Sequence, residues 1–420
     1  MLFKYIKRIS KKVICLTISI YLISTLFIIA RAENYEWTVT DSSKVIETNS
    51  PAEGESTGEV AKDELNLDCE SAILIEQNSG QVLYEKNAHE QLRPASVTKV
   101  MTVLLIFEAL EAGQIKLDDM VPCSQNAASM GGSQIWLDTR EELTVNEMLK
   151  AITIVSANDC TVAMAEYLAG SEEAFVEKMN QRASELGMKD TCFKNCHGID
   201  EDGHVTSSYD IALMSRELLL HHPDITNYTT VYMDSLRDGK SELVNTNKLI
   251  RNYKGATGLK TGSTSLALFN LSASATRDNL SLIAVIMKAP TGAKRFEDAK
   301  KVLDYGFKNY EFKQFGAKGS VVGNVAVDKG VEKNTNAVLE ENCGILIRKG
   351  QENNVVQNMH LEPKVSAPIQ KGQNIGSVDF SIDGKLIQSV NIVAEKDVKK
   401  ETLVNVASYI YKKWFSLLRE

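Results

Sequence analysis

The 420-residue chain has no excess of basic residues: 47 Lys and Arg stand against 55 Asp and Glu, a formal net charge of −8. With no surplus of cations to neutralise phosphates, nucleic acid is excluded as a partner. Metal-type cysteine spacing is also missing. Among seven cysteines, Cys192 and Cys196 form the only close pair, and no second Cys/His pair stands at zinc spacing beside them, although His197 adjoins. Structural or free thiols are therefore expected, with no metal and no cofactor. No long internal repeat occurs. With 43% apolar and 24% charged residues the composition has no extremes, which excludes collagen-like, wholly disordered and multi-span membrane chains. At roughly 150 residues per domain, two or three domains are expected.

The two ends depart from the acidic average. Residues 1–32 hold six Lys/Arg and no acid. A basic segment (Lys4, Lys7, Arg8, Lys11, Lys12) precedes an apolar run from Val13 to Ala30, and Ala30-Arg31-Ala32 fits an A-x-A cleavage site. The pattern is that of a secretory signal peptide, with an uncleaved signal anchor as the alternative. Secretion permits disulfides, whose pairing stays open. Residues 33–64 are rich in Ser, Thr, Gly and Glu, cannot bury enough surface to offset ordering entropy, and are expected to form a solvated linker. At the other end, Leu403, Val406, Ala407, Ile410, Tyr411, Trp414, Phe415 and Leu418 recur at helical spacing opposite Lys412, Lys413, Ser416 and Arg419. Residues 399–420 thus predict a basic amphipathic helix lying on the outer face of the cytoplasmic membrane. Docking of this helix on its own domain is the alternative.

Between the ends, residues 70–76 and 81–86 flank Asn78-Ser79-Gly80 as a β-hairpin. Residues 97–111 are apolar nearly all round, predicting a buried central helix. Thr144 and Glu147 form a capping box opening a helix to about Val155; further helices follow Asn158, Ser171 and Ser207. Strands are expected over 266–276 and 280–289 and a last helix over 294–310. Sheet segments at both ends of a helical middle predict a layered α/β domain over 65–310. The short β-like stretches of 311–398 predict a separate small all-β domain.

Three short motifs carry the chemistry. Ser96 and Lys99 lie three apart at the start of the buried helix, on one side of one turn. A serine hydroxyl needs a nearby base to act as a nucleophile, and burial can make a lysine that base. Ser156-Ala157-Asn158 falls between two helices, where a hydroxyl and an amide can face one cleft. Lys260-Thr261-Gly262 begins a strand, pairing a cation and a hydroxyl with a glycine that admits a close backbone. Each motif alone is weak, since a capping serine or surface lysine would explain it. In this order they are the S-x-x-K, S-x-N and K-T-G set of penicillin-interacting serine enzymes.

The chain resembles the low-molecular-mass penicillin-binding proteins that act as D-alanyl-D-alanine carboxypeptidases, serine peptidase family S11. Arg93 to Thr102, Leu143-Thr144-Val145, Ser156 to Asp159, His197 to Asp200, Gly258 to Gly262 and Ala273 to Thr276 all look like that family. The resemblance implies a transpeptidase-like catalytic domain, an antiparallel sheet with helices on both faces plus a helical subdomain, then a small β domain and a membrane-binding helix. It implies Ser96 as the acylated nucleophile, Lys99 as its base, and Ser156 as the proton relay to the departing amine. Asn158 would bind the substrate amide and Lys99. Lys260 would support the proton network, Thr261, Thr264 and Arg295 would hold the terminal carboxylate beside Gly262, and the N–H groups of Ser96 and Ser263 would form the oxyanion hole. The implied substrate is the peptidoglycan stem pentapeptide ending in D-Ala-D-Ala, with β-lactams as acylating inhibitors and an extracytoplasmic, peripherally membrane-associated location.

Two positions depart from the family pattern: Ala157 and Leu268 stand where glycine is usual. The turn at Ala157 is expected to survive unless it needs a positive φ; Leu268 adds a side chain near the cleft strand. His197 is expected to have a structural or positioning role. Endopeptidase or transpeptidase action on the same acyl-enzyme is the nearest alternative. A class A-like β-lactamase would need a Glu-x-x-Leu-Asn segment that residues 190–210 lack. A non-catalytic wall-binding scaffold is the remaining alternative.

Overall fold

The computed structural model describes residues 65–351, 354–402, 407 and 411. The signal segment 1–32, the linker 33–64 and most of the expected terminal helix 399–420 lie outside the described residues; residues 399–402 are described and are not helical, Lys400 forming an isolated bridge with Gly330. No helix among the described residues is long and apolar enough to cross a membrane. The chain divides into two compact units; the first runs through Lys313 and takes in a segment from Leu346, and the second contains Gln314–Ile345 and later residues.

The first unit is built on a five-stranded antiparallel sheet. Its strands are β1 (Ser71–Glu76), β2 (Val82–Lys86), β3 (Ala256–Thr264), β4 (Leu268–Arg277) and β5 (Leu280–Ala289), in the order β2-β1-β5-β4-β3. The ends of the domain sequence thus meet in one sheet, with β1 beside β5. Alternate residues of these strands enter different cores, because successive side chains point to opposite faces. Ile73, Ile75, Ile283, Val285 and Met287 pack into one core. Ala72, Leu74, Leu282, Ala284 and Ile286 pack into the other. Burial on both faces explains why β5 reads as an almost continuous apolar run.

Helix α1 (Lys99–Glu111) is the centre of the first core, with nine of its residues buried, preceded by a 3₁₀ turn over Ala95–Thr98. Around it stand α2 (Val145–Lys150), α3 (Asn158–Ala169), α4 (Glu172–Glu185) and α5 (Ser208–His221). The second core lies under α6 (Gly292–Asn309), through Phe296, Ala299, Val302 and Leu303. Ser171 and Ser207 mark helix starts as expected, each accepting the backbone N–H three residues on; Thr291 does the same for α6, which starts at Gly292 and not at 294, and Asn158 is the first residue of α3, with no side-chain cap before it. Two further details differ from the sequence reading. The helix opened by Thr144 is α-helical only to Lys150 and finishes as a π-turn over Ala151–Val155. The Lys260-Thr261-Gly262 segment lies inside β3, which already begins at Ala256. The six described cysteines are all free thiols.

The second unit is a six-stranded sheet of β6 (Val321–Asp328), β7 (Asn334–Leu339), β8 (Val355–Leu361), β9 (Lys364–Ser366), β10 (Asn374–Ile382) and β11 (Lys385–Ala394). The order is β8-β10-β11-β7-β6-β9; only the β6–β9 pair is parallel. Val325, Val327, Leu339, Val378, Phe380, Val390 and Ile392 are buried, following the period-two alternation of half-exposed strands.

The capping box at α2 sets where the π-turn, and hence Ser156, lies. Thr144 Oγ1 accepts Glu147 N at 3.2 Å, and the Glu147 carboxylate accepts Thr144 N at 2.9 Å. Thr144→Ala is expected to lower the stability of this unit by about 1 kcal/mol in a urea titration.

Candidate active site

The 3₁₀ turn holding Ser96 is gripped by two glycines. A Cβ on Gly262 of β3 would stand 2.9 Å from Pro94 O, Ser96 N and Val97 N. A Cβ on Gly198, whose φ is +90°, would overlap the Ala95 carbonyl. Only residues without side chains let the strand on one side and the loop on the other approach the turn this closely. Thr98 tightens it further: its hydroxyl donates to Ala95 O at 2.8 Å and lies 2.8 Å from His204 Nε2.

Lys99, the first residue of α1, is fully buried. Its Nζ lies 3.1 Å from Ser96 Oγ, 2.6 Å from Asn158 Oδ1 and 2.6 Å from the His197 carbonyl. Burial outweighs the nearby Cys196 and Asp159 and pulls the amine down to about 7. A neutral amine has two N–H donors and one lone pair. The two shorter contacts go to pure acceptors and take the two donors, so the lone pair is left for the Ser96 hydroxyl.

The second motif comes from the π-turn. Ser156 caps it in the left-handed region at φ 67°, with its N–H donating to Ala151 O. Its Oγ is buried and has no hydrogen-bond partner. Asn158 is held from two directions: its backbone N–H donates to Ser133 O at 2.7 Å, and Nδ2 donates to Gly131 O at 2.7 Å. That leaves Oδ1 turned to Lys99. Ala157 has φ −58°, so no positive φ is needed there and alanine replaces glycine without backbone strain. Leu268 is different: it has φ 55°, in the region where glycine is at ease.

The third motif lies on the edge strand β3. Lys260 is buried, donates to Thr261 O at 2.9 Å, and is pushed well below the usual lysine range by burial, then by Lys99 and Arg295. The Thr261 hydroxyl pairs with Thr246 Oγ1 at 2.7 Å, and Thr264 donates to Asp200 Oδ1 at 2.9 Å. Ser263 is exposed. Arg295 of α6 donates through Nη1 to Gly262 O at 3.1 Å and Asn270 O at 3.2 Å, with its guanidinium over the Phe269 and Phe296 rings. Its charge therefore lies against the strand that carries Gly262.

All ten residues singled out from the sequence thus occur on four neighbouring segments: the Ser96 turn with α1, the π-turn into α3, β3, and the start of α6. Sequence reasoning missed three partners. Thr246 and the Gly131 carbonyl lie in segments without a motif. Asp200 stands in the His197–Asp200 motif, but its partner Thr264 is 64 residues away, and no local pattern connects them. His197 contributes its carbonyl, not its ring. Burial, with Lys99 and His204 beside it, holds the imidazole down at about 3, so it stays neutral.

Residues 57–291 match the peptidase S11 family model, described as D-alanyl-D-alanine carboxypeptidase. The chain belongs to this family. Residues 310–400 match the C-terminal domain of penicillin-binding protein 5. Among curated relatives, the chain is 46% identical over 355 residues to the D-alanyl-D-alanine carboxypeptidase DacF of Bacillus subtilis, covering 84% of this chain and 91% of that one. Among solved structures it resembles penicillin-binding protein 5 from Haemophilus influenzae, at TM-score 0.68 and 32% identity over 80% of this chain and 98% of that one. It also resembles penicillin-binding protein D2 from Listeria monocytogenes in its ampicillin-bound form, at TM-score 0.54 and 29% identity over 58% of this chain and 99% of the other.

In this S11 chain the fit of Gly262 against the Ser96 turn predicts a clear failure. A methyl group there meets three backbone atoms and must displace the Ser96 turn. Gly262→Ala is expected to slow acylation by labelled penicillin by about 100-fold while the far-ultraviolet circular dichroism stays native.

Proposed function

We propose that the chain is a serine-type D-Ala-D-Ala carboxypeptidase that removes the terminal D-alanine from peptidoglycan stem pentapeptides through an acyl-enzyme on Ser96. The observation that carries this reading is the fully buried Lys99 amine, drawn down to about 7, at 3.1 Å from Ser96 Oγ. Its lone pair takes the hydroxyl proton as Ser96 attacks the penultimate D-Ala carbonyl. The developing oxyanion lies against the N–H groups of Ser96 and Ser263. Ser156, whose hydroxyl has no other protein partner, hands the proton taken up by Lys99 on to the departing amine, and Lys260 supports that proton network. Thr261 and Thr264 bind the terminal carboxylate in the positive field of Arg295, and Asn158 binds the substrate amide beside Lys99. One outer edge of β3 is unpaired, so the peptide backbone can add along it as a strand. Water then cleaves the ester and regenerates Ser96.

Penicillins mimic the acyl donor and acylate the same serine; the ampicillin-bound Listeria relative supports this extension. The test uses a diacyl-Lys-D-Ala-D-Ala tripeptide and labelled penicillin. Free D-Ala should be released, and Ser96→Ala should abolish both release and labelling. Label that survives this substitution would reject the nucleophile, and fast penicillin hydrolysis without D-Ala release would favour a β-lactamase. Because the base acts only when deprotonated, the acylation rate should fall as pH drops through about 7 and reach a plateau above it.

The domain assignment belongs to the same reading: signal peptide 1–32, linker 33–64, catalytic domain 65–310, β-rich domain 311–398 and membrane-binding helix 399–420. The basic amphipathic pattern of the last segment supports attachment to the outer face of the cytoplasmic membrane, near the wall substrate. A chain ending at Lys400 should no longer sediment with anionic liposomes that retain the longer protein. Undiminished sedimentation would assign the helix to its own domain.

A further inference from the structure

One aromatic side chain stands outside the core on the loop whose carbonyls hold Asn158. Trp136 is 77% exposed although its backbone has φ 57°, a left-handed conformation that is costly for a bulky residue. The surrounding structure imposes it. Ile135 and Leu137 on either side are buried in the core. Their N–H groups donate to one carboxylate oxygen of buried Asp159, at 3.1 and 3.0 Å. Arg237 donates to the Ile135 carbonyl at 2.9 Å and is itself held by Glu141. The chain is thus anchored in, out and in, and the residue pointing outward is the indole. The same loop positions the substrate-facing amide: the Gly131 and Ser133 carbonyls fix Asn158, whose chain neighbour is Asp159.

We propose that Trp136 is a specificity-determining residue whose indole stacks on the side chain of the stem-peptide residue preceding D-Ala-D-Ala. This rests on the carboxypeptidase reading above. Trp136 lies three positions from Ser133, a reach of at most ~11 Å. The four residues between the scissile bond and the glycan extend about 13 Å, so a residue near the scissile bond fits this distance better than a sugar does. A long aliphatic diamino side chain has the matching chemistry: methylenes to cover an apolar ring and a cation for its face.

The test compares Nα-acetyl-Lys-D-Ala-D-Ala, whose side-chain amine is free, with Nα-acetyl-Ala-D-Ala-D-Ala for the full chain and for Trp136→Ala and Trp136→Phe. Trp136→Ala should lower kcat/KM about tenfold on the lysine substrate, through KM with kcat nearly unchanged, and leave the alanine substrate within twofold. Trp136→Phe should keep most of the preference, and penicillin acylation should be unaffected. Equal losses on both substrates would mean that the indole merely supports the loop, and no loss on either would mean that it is idle; both overturn the proposal. A loss seen only with a disaccharide pentapeptide would assign the ring to sugar and overturn it as well. If the unsubstituted protein releases D-Ala from neither tripeptide, the reaction assignment fails and the proposal falls with it; release without the differential effect sinks the proposal alone.

Discussion

Exclusion of water from the Lys99 amine is the constraint on which the rest of the site depends. An exposed lysine is an ammonium and has no lone pair to accept a proton. Full burial at the start of the central helix reverses that preference, and the cost of desolvating the polar head is offset by the Asn158 and His197 oxygens at 2.6 Å. Those acceptors also orient the amine toward Ser96. Remove the burial and the free lone pair is lost; remove the acceptors and an unsatisfied polar group remains in the core.

Keeping that amine dry requires the three motif segments to close around it, and small residues make this possible. Gly262 brings β3 against the Ser96 turn, and Gly198 brings the His197 loop against its other side. The π-turn then places Ser156 in a left-handed conformation with an uncommitted hydroxyl. Backbone irregularity, buried amines and an orphan polar atom are each unfavourable in an ordinary core. Here they converge on one cleft, the pattern expected where stability is given up for chemistry.

Much of the fold was legible because its signals are local. Thr144, Ser171 and Ser207 mark helix starts through bonds made within three residues. The hairpin at Asn78-Ser79-Gly80 and the two-faced burial of β5 also follow from adjacent residues. The site was legible as three motifs in order. Less visible were relations between distant segments: the Thr264–Asp200 and Thr261–Thr246 bonds, and the clamp of Asp159 and Arg237 on the loop of Trp136. The π-turn was hidden because an α-helix and a π-turn share the same apolar pattern. Leu268 was visible as a departure from the family, but its positive φ was not.

By itself, then, the sequence determined which groups are present and which short segments carry them: a serine and a lysine on one turn, a serine and an asparagine at a helix junction, a lysine and a threonine on a strand, with basic ends around an acidic middle. These are properties of neighbouring residues, which periodicity and capping encode directly. Tertiary structure decided what those groups are. It buried Lys99 and so shifted its protonation, left Ser156 without a partner, set Arg295 against Gly262 and turned Trp136 outward. Protonation and orientation depend on solvent exclusion and on partners far along the chain, and only the closed fold supplies both.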